Sequence, residues 1–230
     1  MRRYSAARVS LDGVKKVCRA LDVTLNDVAL AAITDSYRGI LLCRGEQPRR
    51  NPLRTLVPVS VRSANAFNQT GNQVSVMLPF LPIDQEDSVE QLRAVHRRLA
   101  TAKTSGQRQA GSVLMSAANY IPFTVTAWTV RVLARLPQRG VVTLATNVPG
   151  PRQPLRIMGR NVVRLLPIPP IALRLRTGIA MLSYANEPAF GITPDFDAVP
   201  DVEELSRGIE RGLVRLVAIS DERLGSNATA

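Results

Sequence analysis

The sequence predicts a single α/β domain built on a mixed β-sheet flanked by helices. Two segments, 12–21 and 24–44, repeat their apolar residues with the period of amphipathic helices. Other segments, such as 141–146, are short, uncharged and rich in β-branched residues, which is typical of buried strands. Helices and strands mix without strict alternation, and the 230 residues contain no internal repeat and no linker rich in Gly or Ser. These features favour one domain, 1–224, followed by a flexible polar tail, 225–230.

The first half of the chain is predicted to contain three helices and two strands. In the first helix, over 12–21, Asp12 is a suitable N-cap residue. The second helix starts at Thr24, where Asp27 three residues later makes a capping-box-like start, and it ends near Arg44. The remaining elements of this half are strands over 53–61 and 72–80 and a helix that starts at Ser88.

The second half is predicted to supply further strands and the last helix. Residues 113–130 carry no charge and approach the length of a membrane span, but polar residues and a proline interrupt them. We interpret this segment as a buried or interface-seeking helix pair with a break at Pro122 rather than a transmembrane helix. The other predicted elements are strands over 141–147, 162–166, 178–184 and 189–193 and a helix from Pro200 to Leu216.

The strand over 141–147 leads into an unusual turn, Asn147-Val148-Pro149-Gly150-Pro151. The uncharged, β-branched run 141–146 predicts a strand that is buried on both faces. Because Pro149 and Pro151 lack an N–H group, the ladder is predicted to stop at Asn147. Gly150 permits backbone conformations that other residues resist. A stiff loop of this kind could hold Asn147 at a site, and an ordinary proline turn explains the segment equally well.

The charge composition favours anionic partners. The chain has 30 Lys and Arg residues against 18 Asp and Glu, a formal net charge of +12. Such a charge suits acidic lipid surfaces, nucleic acid or phosphorylated cofactors. Nucleic acid is disfavoured because aromatic residues make up only 4% and the arginines are scattered along the chain. A membrane surface or an acyl-CoA fits at least as well.

The cysteines and the amino terminus indicate a cytoplasmic protein. Cys18 and Cys43 have neither CxxC nor metal-ligand spacing and lie in predicted helices, so we interpret them as reduced, buried thiols. The first residues, 1–5, are basic but lack the apolar region that a signal peptide requires.

Six motifs occur in one order along the chain. They are Thr24-Leu25-Asn26-Asp27-Val28, Val57-Pro58-Val59-Ser60-Val61-Arg62, Gly71-Asn72, Asn147-Val148-Pro149-Gly150-Pro151, Ser183-Tyr184 and Gly191-Ile192-Thr193-Pro194-Asp195. This order resembles the carboxy-terminal half of the bacterial wax ester synthase/acyl-CoA:diacylglycerol acyltransferase family, to which mycobacterial-type triacylglycerol synthases belong. The resemblance covers nearly the whole chain.

The resemblance implies a chloramphenicol-acetyltransferase-like fold, in which two similar α/β domains face each other around a tunnel. Acyl-CoA, as a substrate rather than a cofactor, would meet a diacylglycerol or long-chain alcohol there. A histidine in a His-His-x-x-x-Asp-Gly motif of the amino-terminal half would take the acceptor hydroxyl proton. The implied partners are that amino-terminal half, the two substrates and a membrane or lipid-droplet surface, with a cytoplasmic, peripherally membrane-associated location.

The chain itself contains no such histidine motif. Its one histidine, His96, lies among arginines on the helix that starts at Ser88, and we interpret it as a surface or core-edge residue. No Gly-x-Ser-x-Gly turn and no Cys/His pairing offers a substitute. We therefore expect that this chain alone transfers no acyl group. The alternatives are a non-catalytic acyl-CoA- or lipid-binding module and a basic nucleic-acid binder.

Several residues are candidates for a role at the site. Asn26 and Asp27 match the family's Asn-Asp motif at a helix start, where free N–H groups and a positive dipole suit an oxyanion or phosphate, although capping alone also explains Asp27. Asn147 could donate to the thioester carbonyl or the pantetheine amide, or could close its own turn.

The other substrate-binding candidates are Gly150, Arg152, Ser183 and Tyr184. With Arg152, the arginines at 156, 160 and 164 could meet coenzyme A phosphates or an anionic bilayer, or form a solvated face. We interpret Asp195 as a turn-forming or arginine-pairing acid rather than a base.

Overall fold

The computed structural model describes residues 3–50, 53–60, 74–104, 141–171, 175–185, 187–195, 197 and 199–228. The helices in these ranges are α1 (Leu11–Leu21), α2 (Leu25–Cys43), α3 (Ser88–Thr104) and α4 (Val202–Ala228). The strands are β1 (Ser5–Arg8), β2 (Arg54–Ser60), β3 (Val74–Met77), β4 (Val141–Pro149), β5 (Arg156–Ile157), β6 (Arg160–Asn161), β7 (Thr177–Tyr184) and β8 (Glu187–Pro194).

Six of these strands form one mixed sheet in the order β1-β8-β7-β4-β2-β3, which confirms the predicted α/β class. β4 runs parallel to both of its neighbours, β2 and β7, and the remaining pairs are antiparallel. The carboxyl ends of β2, β4 and β7 therefore lie at the same edge of the sheet, where open α/β sheets bind ligands. β5 and β6 form a separate two-stranded hairpin.

Helices α2 and α4 pack against each other at close range, and the approach depends on a glycine. A Cβ added to Gly208 of α4 would lie 2.3 Å from the Oγ atom of Ser36 on α2. The Ser36 hydroxyl instead donates a buried hydrogen bond to the Leu205 carbonyl at 2.7 Å.

Helix α2 is buried along most of its length. Its apolar residues Val28, Leu30 and Ile33 are fully or almost fully buried, which is typical of a helix surrounded by protein.

The predicted N-cap of α1 is wrong, and the predicted capping box of α2 is confirmed. Ser10, rather than Asp12, is the N-cap of α1, and its hydroxyl accepts a hydrogen bond from the Gly13 N–H at 3.3 Å. Asp12 lies in the first turn, where a carboxylate interacts favourably with the helix dipole without capping it. The capping box between Thr24 and Asp27 is present as predicted.

Strand assignments also differ from the prediction at β1, at the β5–β6 hairpin and over 162–166. β1 was missed, because Ser-Ala-Ala-Arg has no β-branched residue and the strand forms by pairing with β8. The strand predicted over 162–166 is wrong. Val163 is 83% exposed and Leu166 44% exposed, so this apolar run has no sheet face to cover.

β4 corrects two further predictions. It continues to Pro149 instead of stopping at Asn147, and Pro149 stands opposite Ser183 of β7. The described ladder with β2 ends at Leu144, so beyond that residue one edge of β4 needs no N–H donor and tolerates proline. The prediction that 141–146 is buried on both faces holds for one face only, because Thr143 and Ala145 are buried whereas Leu144 and Thr146 are partly buried.

Four further predictions concern the cysteines, the polar tail, the helix pair over 113–130 and the Gly71-Asn72 motif. Cys43 is exposed rather than buried because it is the last residue of α2, and Cys18 is half-buried. α4 extends to Ala228, so residues 225–228 of the predicted tail are helical. The helix pair predicted over 113–130 and the Gly71-Asn72 motif lie outside the described residues. Among the described helices, none combines the length and apolarity that crossing a bilayer requires.

Candidate functional site

The candidate site begins at the amino terminus of α2. The Asp27 carboxylate accepts hydrogen bonds from the Thr24 N–H and the Thr24 hydroxyl, both at 2.8 Å. In return, the Asp27 N–H donates to the Thr24 hydroxyl at 3.3 Å. Both ends of this Thr-x-x-Asp sequence are thus satisfied locally, which fixes the first turn of the helix. Asn26 lies in that turn with an exposed side chain.

Asn147 reaches this helix turn from β4. Thr143, Ala145 and Asn147 alternate onto the same face of the strand, and the first two are buried. The Asn147 Nδ2 atom donates to the Asn26 Oδ1 atom at 2.9 Å, and both side chains are exposed. The structure therefore brings together two site residues that the sequence predicted separately.

A narrow cleft lies beneath this asparagine pair, between α2 and the sheet. Its cavity volume is about 50 Å³, and the space between atoms reaches about 410 Å³ only when the open mouth is included. Its lining residues come from α2, β2, β4, β7 and β8, and apart from Thr146 and the two asparagines they are apolar: Asn26, Ala29, Leu30, Ile33, Val57, Pro58, Ala145, Thr146, Asn147, Ile179, Met181 and Phe190. An apolar pocket with a few polar groups at its rim can hold a hydrocarbon segment and orient a polar group attached to it.

Asp27 has a second partner that the sequence did not reveal. The Nδ1 atom of His96, on α3, lies 2.8 Å from the Asp27 Oδ2 atom. The Asp27 side chain is 2% exposed and the His96 side chain 44% exposed, so His96 lies at the core edge as predicted. The pair joins α3 to the helix turn that carries Asn26. No sequence signal links two residues that are 69 positions apart.

Gly150 and Ser183 form a close contact at the end of β4. The Gly150 N–H donates to the Ser183 hydroxyl at 3.4 Å. A Cβ on Gly150 would lie 2.2 Å from the Ser183 carbonyl oxygen, so the two backbones approach as only glycine allows. Neither residue lines the cleft, and their observed contacts hold the strand end in place.

Tyr184 is buried at the base of the β5–β6 hairpin. Its hydroxyl accepts from the Leu155 N–H and donates to the Val162 carbonyl, both at 2.7 Å. Strand alternation places the Ser183 and Tyr184 side chains on opposite faces of β7, and the inward one is Tyr184. Its hydroxyl is thus committed to the loop that follows β4 rather than to the cleft.

The remaining candidates lie at the surface. Arg152, Arg156, Arg160 and Arg164 are all exposed and lie on the segment between β4 and β7. Asp195 is exposed, and its carbonyl accepts from the Val199 N–H at 2.9 Å, which agrees with a turn-forming role. Within the described ranges, no group of three His, Cys, Asp or Glu residues could hold a metal ion.

The Asp27 carboxylate affects the pKa of a nearby thiol, that of Cys18. Cys18, on α1, is half-buried, and burial raises the pKa of its thiol above the ordinary value. The negative charge of Asp27 raises this pKa further, while a backbone hydrogen bond lowers it. Cys18 is therefore expected to be a poor nucleophile at neutral pH.

Comparison with known proteins places this geometry in a family context. A family model described as WS/DGAT C-terminal domain matches residues 70–216. Over 223 residues the chain is 61% identical to a probable diacylglycerol O-acyltransferase of Mycobacterium tuberculosis H37Rv, a match that covers 97% of this chain and 48% of that protein. It is 27% identical over 212 residues to the O-acyltransferase WSD of Acinetobacter baylyi, covering 91% of this chain and 45% of that protein. The chain thus spans about half the length of the curated relatives that it matches.

Solved structures give the same picture at the level of the fold. The wax ester synthase/diacylglycerol acyltransferase from Marinobacter aquaeolei VT8 superposes with a TM-score of 0.74 and 24% identity, over 96% of this chain and 49% of that chain. The epimerization domain from the third module of tyrocidine synthetase B superposes with a TM-score of 0.63 and 10% identity, over 96% of this chain and 49% of that chain. The similarity again covers about half of each solved chain.

Proposed function

Because the chain belongs to the family of WS/DGAT C-terminal domains, we propose that it is the carboxy-terminal half of a diacylglycerol O-acyltransferase or wax ester synthase. In this proposal the chain forms one wall of the tunnel in which acyl-CoA meets a diacylglycerol or a long-chain alcohol during triacylglycerol or wax ester synthesis. The observation that carries the proposal is the Asn26–Asn147 pair at the rim of the apolar cleft.

The cleft suits the acyl end of a thioester. Leu30, Ile33 and Phe190 offer apolar surface to a hydrocarbon chain. The Asn147 side-chain amide and the positive end of α2 lie at the rim, where hydrogen-bond donors favour a carbonyl oxygen that gains negative charge. We propose that Asn147 donates to the thioester carbonyl or to the pantetheine amide while Asn26 orients the Asn147 amide.

The reaction is the transfer of an acyl group from sulfur to oxygen. The acceptor hydroxyl oxygen attacks the thioester carbon, a C–O bond forms, the C–S bond breaks, and coenzyme A leaves as its thiol. The hydroxyl proton passes to a general base. We propose that this base is a histidine of the amino-terminal half, because His96 holds Asp27 behind the helix turn and does not line the cleft.

Reconstitution of the two halves tests the proposal. The chain is co-expressed with the part of the 61% identical Mycobacterium tuberculosis relative that lies outside the matched region. We expect the purified pair to esterify diacylglycerol from acyl-CoA, and each half alone to be inactive. Asn147→Ala should lower turnover by about a hundredfold if it loses an oxyanion donor. The exposed Asp12→Ala variant should match the unsubstituted pair.

Two outcomes would overturn the proposal that this chain is the carboxy-terminal half of an acyltransferase. One is a pair that associates tightly yet forms no ester. The other is ester synthesis by the 230-residue chain alone that persists after replacement of His96. Saturable acyl-CoA binding by the isolated chain, together with an inactive pair, would support the second candidate, a non-catalytic acyl-CoA- or lipid-binding module. The location proposed for either function is cytoplasmic, with peripheral attachment to a membrane.

A further inference from the structure

A short β-hairpin between β4 and β7 exposes apolar side chains to solvent. In this 155–163 hairpin, β5 and β6 pair in antiparallel register, with Ile157 opposite Arg160. Met158 is 98% exposed, Val163 83% and Ile157 62%. The Met158 side chain therefore has almost no contact with the rest of the protein. Scattered exposed apolar residues are ordinary on protein surfaces, but three on one projecting hairpin mark an interaction site.

The turn of this hairpin is built against its backbone preference. Met158 and Gly159 form a two-residue turn with φ values of 51° and 78°. Turns with two positive φ values favour Asn-Gly or Asp-Gly, because the left-handed region is costly for large side chains. Methionine at this position is both strained and exposed to water. Strain of this kind persists only where the surrounding structure holds it, and it is most frequent at functional sites.

The hairpin is also anchored from below. The buried Tyr184 hydroxyl bonds to the Leu155 N–H and the Val162 carbonyl, and the Val162 N–H donates to the Leu155 carbonyl at 2.8 Å. These bonds hold both strands at the hairpin base. The apolar tip is therefore presented by a fixed support, so little conformational entropy is lost when it binds.

The charged residues on the segment that carries the hairpin are all arginines. The sequence from 141 to 186 contains no Asp or Glu. Four exposed arginines lie on or beside the hairpin, and none of them forms an ion pair with a residue that the structure describes: Arg152, Arg156, Arg160 and Arg164. Long cationic side chains next to a protruding apolar tip match the interface of an anionic lipid layer, whose headgroups lie above its acyl chains.

We propose that the 155–163 hairpin docks this protein on an anionic lipid surface. Ile157 and Met158 enter the boundary between headgroups and acyl chains, and Arg156 and Arg160 contact lipid phosphates. The inference rests on the proposed peripheral attachment and names the surface responsible for it. It does not depend on acyl transfer, so vesicle binding tests it separately from catalysis.

The test is sedimentation of the full 230-residue chain with vesicles of phosphatidylcholine alone or mixed with phosphatidylglycerol. The decisive variant is Met158→Asn, which removes one of the two inserted apolar side chains and suits the positive φ. We expect it to lower the partition coefficient on the mixed vesicles about tenfold. The control is Val214→Asn on α4, where an exposed valine should be replaced without effect on binding.

Two further measurements make the result unambiguous. Met158→Asn should raise the unfolding temperature, so that weaker vesicle binding cannot reflect unfolding. Arg160→Gln should weaken binding about fivefold on mixed vesicles only, and added salt should reduce that difference.

Three results would overturn the inference. The first is Met158→Asn binding that equals the unsubstituted chain. The second is equal loss of binding in Val214→Asn. The third is a hairpin variant that keeps vesicle binding but no longer captures a co-expressed amino-terminal half, which would assign the hairpin to a protein interface instead.

Discussion

The Asn147 amide donates to the Asn26 side-chain oxygen at 2.9 Å and so connects a strand end to a helix turn 121 positions earlier in the chain. Each amide fixes the orientation of the other, although both side chains are exposed. The capping box beneath Asn26 and the contact between Gly150 and Ser183 hold the two backbones. The rim of the cleft therefore carries a hydrogen-bonded pair of amides from two different elements.

The direction of this hydrogen bond predicts different effects of two similar substitutions. Asn147→Asp replaces the donor with a carboxylate that faces the Asn26 oxygen, so the free energy of unfolding should fall by about 1 kcal/mol. Asn26→Asp keeps the acceptor and adds negative charge at a helix amino terminus, so it should change stability by less than about 0.5 kcal/mol. Urea unfolding of both variants checks this. An equal loss for both would contradict the assigned donor and acceptor.

Asp27 predicts a larger effect, because its carboxylate is buried and bonds to Thr24 and His96. Asp27→Ala should lower the free energy of unfolding by about 2–4 kcal/mol, since several donors lose their partner. His96→Ala should cost about 1 kcal/mol, and the double variant should cost less than the sum of the two. Thermal and urea unfolding measure these differences.

The matched control for Asp27 is Asp12→Ala. Asp12 is also in the first turn of a helix, but its side chain is 84% exposed and forms only a surface ion pair with Lys15. Its replacement should change stability by less than about 0.5 kcal/mol. Losses of similar size at both positions would show that helix-dipole effects, rather than the buried contacts of Asp27, set the cost.

Local features of the fold were predictable from the sequence, and long-range pairings were not. The capping box needs only Thr24 and Asp27, and the helical period of α2 is visible within one segment. β1 has no such signal, because four small or charged residues become a strand only when β8 lies beside them. The β5–β6 hairpin was missed because its strands have two residues each and its turn lacks the usual Asn-Gly sequence.

The site shows the same division. Asn26 and Asn147 were separate candidates, and only the parallel arrangement of β4 beside β7 and under α2 makes them one group. His96 could be assigned to the core edge from its neighbours, but its contact with Asp27 depends on how α3 packs against α2. Its motif alone suggested that Tyr184 binds substrate. In the structure, its hydroxyl bonds to the base of the β5–β6 hairpin.

Two glycines predict opposite effects of the same substitution. Gly150→Ala should lower the free energy of unfolding by about 2–3 kcal/mol, because the new Cβ meets the Ser183 carbonyl oxygen at 2.2 Å. Gly39→Ala, inside α2 with nothing within 4 Å of the added Cβ, should raise it by about 0.5–1 kcal/mol. Thermal unfolding of the two variants measures both signs. A tolerated Gly150→Ala would contradict the close approach of β4 and β7.

The two cysteines predict a difference in chemical reactivity that reports on Asp27. Because burial and the Asp27 charge raise the pKa of the Cys18 thiol, its thiolate is scarce, and iodoacetamide should alkylate Cys18 about tenfold or more slowly than the exposed Cys43. Raising the pH should speed the Cys18 reaction, and Asp27→Asn should speed it at constant pH, because removal of the negative charge lowers the pKa. Peptide mass spectrometry over time measures both rates, with Asp12→Asn as the control. Equal rates at the two cysteines, or a Cys18 rate that does not respond to Asp27→Asn, would show that Cys18 does not sense this carboxylate.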